Sequence, residues 1–231
     1  TIEAWIKATS SSDHWRPILY KGDPRTPNFS NRSYALWLSG RSSIQFASAP
    51  NGQGEMFLYS SDDLIAPNQW YHVAGVIDAK QGVMRLLING MEVASGPFGK
   101  DIHVSALPFR IGWTHEEYDT TLSFFIGQID EVRIWNVART PEEIAATMHT
   151  SLSGTEPGLV GYWRFEEGNE KVVDAPGNGH DGKFVGDAVC VQDELPNIPA
   201  LLSALNADDA QVRVLAAGTL GRLDGGKREV V

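Results

Sequence analysis

Acidic and amide side chains gather in two polar segments of this sequence. The first carries Asp23 and Asn31, and the second carries Glu116, Glu117 and Asp119. Calcium takes six to eight oxygen ligands, which are mixed from carboxylates and carbonyl groups on flexible loops. We therefore predict a Ca²⁺ site built from these loops, and the alternative that the same side chains are simply solvated stays open.

Asp174 and Asp181 form a weaker cation candidate, because they lie in a glycine-rich stretch. Turns of that composition use Asp side chains to bind their own backbone.

Aromatic side chains provide a second kind of binding chemistry. Flat rings on or beside loops can contact a ligand, and loops are where binding residues concentrate. The predicted ligand-binding residues are Trp15, Phe29, Trp113 and Tyr118. The remaining tryptophans fall within or at the ends of predicted strands and are predicted to be core residues: Trp5, Trp37, Trp70, Trp135 and Trp163.

Glycoside hydrolysis would require two carboxyl groups roughly 5 to 9 Å apart across the sugar bond. The nearest candidates are the adjacent residues Asp130 and Glu131. Neighbouring residues of a strand point to opposite faces, so these two cannot act as an acid and nucleophile pair. The six histidines show no zinc-binding spacing, and Cys190 is predicted to be a small buried hydrophobic residue. The sequence therefore argues against an enzyme.

The elements that must position these side chains are mostly strands. Up to about residue 190, short alternating runs are separated by Gly, Pro, Asn, Asp and Ser clusters. Ile2, Ala4 and Ile6 share one face, and residues 71–77 form a β-branched run that is typical of a central strand. Asn89-Gly90 predicts a type I′ hairpin, because both central residues of that turn need positive φ.

One short helix is predicted after the strands that precede residue 140. Thr140 is the N-cap, Pro141 occupies the first helical position, and Glu143 completes a capping box. The helix is expected to run to about His149.

After Cys190 the hydrophobic period changes from about two to about 3.6 residues. Apolar stripes over residues 198–205 and 212–223 predict a C-terminal helical hairpin. We therefore predict a β-sandwich over residues 1–190 and a helical hairpin or linker over 191–231. So small a helix pair must dock on the sandwich, continue into further repeats, or pair with another chain to form an oligomer.

Charge and composition exclude several partners. The formal charge of −10 argues against nucleic acid, whose recognition needs clustered Lys and Arg. No stretch approaches the roughly 20 apolar residues that span a bilayer, so membrane insertion is not expected.

Five segments together resemble the laminin G-like, concanavalin A-like lectin and glucanase domain: residues 1–6, 68–76, 86–95, 110–113 and 126–144. The resemblance implies an all-β, antiparallel jelly-roll sandwich of two sheets. In the related pentraxins, the loop at the position of residues 116–119 carries calcium ligands, and the loop after the second strand supplies others. The usual opening strand is missing, so either residues 159–190 fill that edge or the edge is exposed. Residues 195–223 resemble a HEAT-like repeat.

These observations favour a non-catalytic, calcium-assisted recognition module that binds a carbohydrate or protein ligand within a larger protein. An extracellular or cell-envelope location is expected. The alternatives are a scaffold whose helical repeat makes the protein contacts, and a glycoside hydrolase.

Overall fold

The structure is a computed structural model that describes residues 1–9, 14–23, 31–51, 53–99, 101–114, 124–168 and 171–191. In chain order its elements are β1 (Ile2–Ala8), β2 (Arg16–Gly22), β3 (Arg32–Leu38), β4 (Ile44–Ser48), β5 (Met56–Tyr59), β6 (Trp70–Asp78), β7 (Val83–Ile88), β8 (Met91–Pro97), β9 (Arg110–Ile111), β10 (Gly127–Trp135), α1 (Pro141–Thr147) and β11 (Leu159–Trp163).

The strands form two antiparallel sheets. The six-stranded sheet has the order β11-β10-β1-β6-β7-β8, and the five-stranded sheet has the order β5-β4-β3-β2-β9. Ile2, Ala4 and Ile6 lie in the main hydrophobic core, together with Leu36 and Phe46 of the other sheet. The predicted two-sheet antiparallel sandwich is thus confirmed, and period-two alternation sends every second side chain of these strands away from the core.

The hairpin between β7 and β8 turns at the predicted residues. Asn89 has φ 51° and Gly90 has φ 76°. A Cβ added to Gly90 would lie 2.9 Å from the Cβ of Ala145 in α1. Glycine is therefore required at position 90 for two reasons: the positive φ of the backbone and the close approach of the helix.

Helix α1 begins with the predicted capping box. The Thr140 hydroxyl accepts a hydrogen bond from the Glu143 amide at 3.2 Å, and the Glu143 carboxylate accepts one from the Thr140 amide at 2.9 Å. The helix ends at Thr147, slightly before the predicted His149. Ile144 anchors it on the outer face of the six-stranded sheet, against Ala74, Val76 and Leu87.

Strand β11 pairs with β10 at the edge of the six-stranded sheet. The chain beyond β11 is fastened by Asp174, which accepts hydrogen bonds from the amides of Tyr162, Asn178 and His180 at 3.1, 3.0 and 3.3 Å. Asp174 therefore supports its own turn, which is the structural alternative to a cation site. Residues 159–163 therefore cover the edge of β10 and form the edge strand of this sheet themselves.

The predicted helical unit over residues 191–231, its HEAT-like repeat and any oligomer formed through it lie outside the described residues, apart from Val191. None of the described helices is long and apolar enough to cross a membrane.

Candidate functional site

The outer face of the five-stranded sheet carries a continuous group of aromatic side chains. Register places Trp37, Gln45 and Tyr59 side by side on β3, β4 and β5, while their neighbours in sequence point into the core. Trp15 precedes β2 and reaches the same group, and Phe57 stands two residues before Tyr59. We call Trp15, Trp37, Gln45, Phe57 and Tyr59 the aromatic platform.

Ring contacts connect the four aromatic residues of the platform. The Trp15 ring lies 6.3 Å from that of Trp37 and 6.0 Å from that of Tyr59, measured between centroids. Phe57 and Tyr59 are 5.4 Å apart. Gln45 Nε2 donates a 2.7 Å hydrogen bond to the Tyr59 hydroxyl, which fixes that ring.

The aromatic platform combines exposed apolar area with polar groups. Phe57 and Tyr59 are 52% and 42% exposed, although large aromatic side chains usually pack in cores. The Tyr59 hydroxyl, held by Gln45, lies beside these rings, whereas the Trp37 indole Nε1 is buried and has no hydrogen-bond partner among the described residues. Ring faces next to a phenol hydroxyl are suited to a ligand with an apolar face and hydroxyl groups at its edge.

Trp37 corrects one prediction made from the sequence, which assigned it to the core. Leu36 and Leu38 on either side are core residues, so alternation alone sends Trp37 to the outer face. The alternation was visible in the sequence, but which face of β3 is covered was not. The other four predicted core tryptophans are buried: Trp5, Trp70, Trp135 and Trp163.

The predicted ligand-binding residues do not all come together. Trp15 belongs to the aromatic platform, whereas Trp113 stacks on Phe124, with centroids 6.3 Å apart and planes inclined by 1°. Phe29 and Tyr118 lie outside the described residues, so their part in binding stays a prediction.

The predicted calcium ligands are only partly described. Asp23 and Asn31 are half-buried at the end of β2 and the start of β3, and Glu116, Glu117 and Asp119 lie outside the described residues. No group of three or more His, Cys, Asp or Glu side chains within the described ranges could hold a metal ion. Asp23 and Asn31 fall short of the six to eight oxygens that calcium needs, so the described part of the chain does not form the site by itself.

An open groove of about 1830 Å³ lies at another part of the sandwich and is lined by Lys7, Trp70, Trp113 and Asp130 among others. Burial raises the pKa of Asp130 to about 7, and its carboxylate accepts a 2.7 Å hydrogen bond from the Glu131 amide. Glu131 does not join Asp130 in forming a catalytic pair. Its carboxylate instead binds the guanidinium of Arg133 and the hydroxyl of Tyr162.

A buried ionic network, which the sequence analysis did not predict, lies between the six-stranded sheet and α1. Arg133 lies between Glu3 and Glu131 and donates to the Thr147 and Thr150 carbonyl oxygens at 3.0 and 2.8 Å. Other members complete it: Arg139 donates to Glu3 at 3.2 Å, and the Trp135 indole donates to the same carboxylate at 2.8 Å. The network holds the end of α1 and the following turn on the sheet, so its role is structural.

Cys190 is not the buried residue that the sequence predicted. Its side chain is half-exposed, and its Sγ donates to the Gly168 carbonyl oxygen at 3.2 Å. The residue lies late in the chain, beyond the last strand, where less of the core covers it.

His72 makes the network sensitive to pH. Burial and the positive charge of Arg133 lower the pKa of His72 well below its usual value, although Glu3 Oε2 lies 3.6 Å from its Nε2. A histidine whose pKa is lowered by folding stabilises the fold above the unfolded pKa of about 6.5, and this contribution is lost as the pH falls below that value. As the pH falls from 7.5 to 5.5, His72 becomes protonated in the unfolded chain but not in the folded one. We expect this difference to lower the free energy of unfolding by about 1.4 kcal/mol.

The measurement is urea unfolding at both pH values for the natural chain and for His72→Phe, which keeps the ring contact with Trp5. The variant should lose about 1.4 kcal/mol less than the natural chain on acidification. Equal losses in the two proteins would contradict a neutral buried His72.

Comparisons with known proteins agree with this architecture. The family model described as the concanavalin A-like lectin/glucanases superfamily matches residues 1–145. No curated protein matches the chain.

Among solved structures, a Bacteroides ovatus protein provisionally described as carbohydrate-binding has a TM-score of 0.61 at 22% identity, covering 82% of this chain and 54% of its own. The CBM40 module of the Ruminococcus gnavus IT-sialidase, bound to α2,3-sialyllactose, has a TM-score of 0.50 at 18% identity, covering 63% of this chain and 79% of its own. The leech intramolecular trans-sialidase has a TM-score of 0.51 at 18% identity, covering 67% of this chain and 24% of its own.

At these identities the solved structures show a shared fold. The chain spans about half the length of the Bacteroides ovatus protein. The family model covers more than half of the chain and includes the strands β1 to β10 that build both sheets. By this match, the chain belongs to the concanavalin A-like lectin/glucanases superfamily.

Proposed function

We propose that this chain is a non-catalytic module that binds a carbohydrate on its aromatic platform. The observation that carries the proposal is the contiguous set of ring contacts among Trp15, Trp37, Tyr59 and Phe57, two of which are about half-exposed. An exposed aromatic cluster of this kind costs solubility unless a ligand uses it.

Carbohydrate suits the chemistry of the aromatic platform better than a purely apolar ligand. A sugar ring presents C–H groups on its face and hydroxyl groups at its edge. The rings of Phe57 and Tyr59 offer exposed apolar area, while the Tyr59 hydroxyl, which accepts a hydrogen bond from Gln45, offers a hydrogen-bonding group beside it. Fold likeness to the carbohydrate-associated proteins above is consistent with this class of ligand. An extracellular or cell-envelope location would fit a module of this type.

A hydrolase is the less favoured alternative. Asp130 borders the open groove, but the Glu131 carboxylate is ion-paired with Arg133 and accepts a hydrogen bond from Tyr162 beneath α1. The adjacent carboxyl groups therefore lie in separate surroundings and do not flank one sugar bond.

A glycan screen with the full chain tests the proposal. Neutral and acidic oligosaccharides are titrated by calorimetry, and each mixture is then assayed for new reducing ends. We expect binding of at least one oligosaccharide without cleavage. New reducing ends would instead favour the hydrolase, and the absence of any binding would favour a scaffold.

Calcium is part of the proposal through the loops that carry Asp23, Asn31 and residues 116–119. An ion held only by the folded chain stabilises it by mass action, so EDTA is expected to lower the melting temperature and added Ca²⁺ to restore it. A melting curve that EDTA leaves unchanged would contradict bound calcium. The aromatic platform would still be the proposed binding surface.

A further inference from the structure

An ion pair is buried beside the aromatic platform. Arg32 begins β3, and its guanidinium is ion-paired with the carboxylate of Glu55, which precedes β5. The two side chains are only 6% and 10% exposed. The Arg32 Cζ lies 5.5 Å from the centroid of the Trp37 ring and 5.3 Å from that of Tyr20.

The guanidinium of Arg32 is held in place by its ring contacts and by its ion pair with Glu55. Its positive charge is offset by the carboxylate of Glu55. Burial raises the pKa of Glu55, and the positive charge of Arg32 partly opposes this rise. Recognition of a carboxylate ligand usually relies on an open guanidinium fork that offers two parallel N–H donors. Arg32 would have to abandon a buried Glu55 to provide one, which would leave an uncompensated charge in the protein.

Two other arginines close to platform residues in the sequence have partners of their own, which are more exposed than the Arg32–Glu55 pair. Arg16 follows Trp15 and donates to the Phe124 carbonyl oxygen at 3.4 Å. Arg41 lies between β3 and β4 and pairs with Asp62 at 3.4 Å. The chain as a whole carries a formal charge of −10, which repels anionic ligands at long range.

We propose that the aromatic platform selects uncharged glycans over glycans that carry a carboxylate, because the buried Arg32–Glu55 pair withholds the adjacent cation from the ligand. This selectivity rests on the proposed function of the platform. Glu55 thereby acts as a specificity-determining residue through Arg32, without needing to touch the sugar.

Glu55→Gln is the direct test, because it keeps the shape of the side chain and releases the charge of Arg32. The neutral probes are cellotetraose, xylotetraose and mannotetraose, and the acidic probes are tetragalacturonate and 3′-sialyllactose. The natural chain should bind its best neutral probe at least tenfold more tightly than either acidic probe. In Glu55→Gln that ratio should fall at least fivefold, through tighter binding of the acidic probes.

Asp62→Asn is the matched control, since it changes the net charge by the same amount and removes the partner of the exposed Arg41. It should leave the ratio unchanged. If Glu55→Gln folds poorly, the double variant Arg32→Gln/Glu55→Gln removes both charges and should keep the preference for neutral probes.

The outcomes separate this inference from the proposed function. Equal or tighter binding of an acidic probe by the natural chain would overturn the selectivity while supporting glycan binding. An equal fall of the ratio in Asp62→Asn would reduce the effect to net charge and overturn the role of Glu55. Failure of every probe to bind would overturn the proposed function, and the selectivity with it.

Discussion

Replacing Arg133 with alanine is expected to lower the free energy of unfolding by about 3–5 kcal/mol, the cost of breaking a buried ion pair by removing one partner. Arg133 is 1% exposed and is the common partner of Glu3 and Glu131. Its loss would leave Glu131 without its cation and the carbonyl groups of Thr147 and Thr150 without their donor. Chemical denaturation followed by circular dichroism measures the change.

Arg85→Ala provides the matched control for this measurement. Arg85 lies in β7 and pairs with Glu92 at 3.3 Å, but that pair is partly exposed to solvent. An exposed pair contributes about 0–1 kcal/mol, so this variant should unfold close to the natural chain. Comparable losses in the two arginine variants would show that the burial of Arg133 is not what makes it important.

Trp37→Ala is expected to weaken glycan binding about 30-fold, which corresponds to the roughly 2 kcal/mol typical of an aromatic hot spot. Trp37 contacts Trp15 directly and lies on the same face as Tyr59. Its removal would take away ring area and the surface on which Trp15 rests. Calorimetric titration with the best oligosaccharide of the screen measures the loss.

Two phenylalanines provide a matched pair for the same titration. Phe57 in the aromatic platform and Phe124 beside Trp113 are 52% and 50% exposed. Alanine at Phe57 should reduce affinity several-fold, whereas alanine at Phe124 should leave it unchanged. Should Trp37→Ala fold poorly, Tyr59→Ala supplies a second test at a 42% exposed position. Binding that is lost in Phe124→Ala but kept in Phe57→Ala and Tyr59→Ala would place the ligand at Trp113 instead.

Local patterns were enough to predict individual elements of the sandwich. The alternation of Ile2, Ala4 and Ile6 indicated an inward face, and the dipeptide Asn89-Gly90 indicated the turn of a hairpin. Thr140 and Glu143 likewise marked the beginning of α1. These features depend on neighbours within a few residues, so their physical causes can be read from a short stretch of sequence.

The candidate site was only half predictable. Trp15 was expected to bind a ligand because it lies beside a loop, yet Trp37 was assigned to the core because it lies within a strand. Alternation shows that Trp37 and Leu36 face opposite ways, but it does not show which face another layer covers. The identity of the covered face of β3 depends on where the six-stranded sheet packs.

The sequence by itself determined that this chain alternates with period two, turns at Asn89-Gly90 and begins a helix after Thr140. Only the tertiary structure decided that Trp15, Trp37 and Tyr59 meet on one face, that Glu55 neutralises Arg32 beside them, and that Arg133 joins Glu3 to the end of α1. Each of these contacts joins residues from separate strands or loops. Sequence spacing does not encode such distances, because strand register and the packing of one layer on another set them.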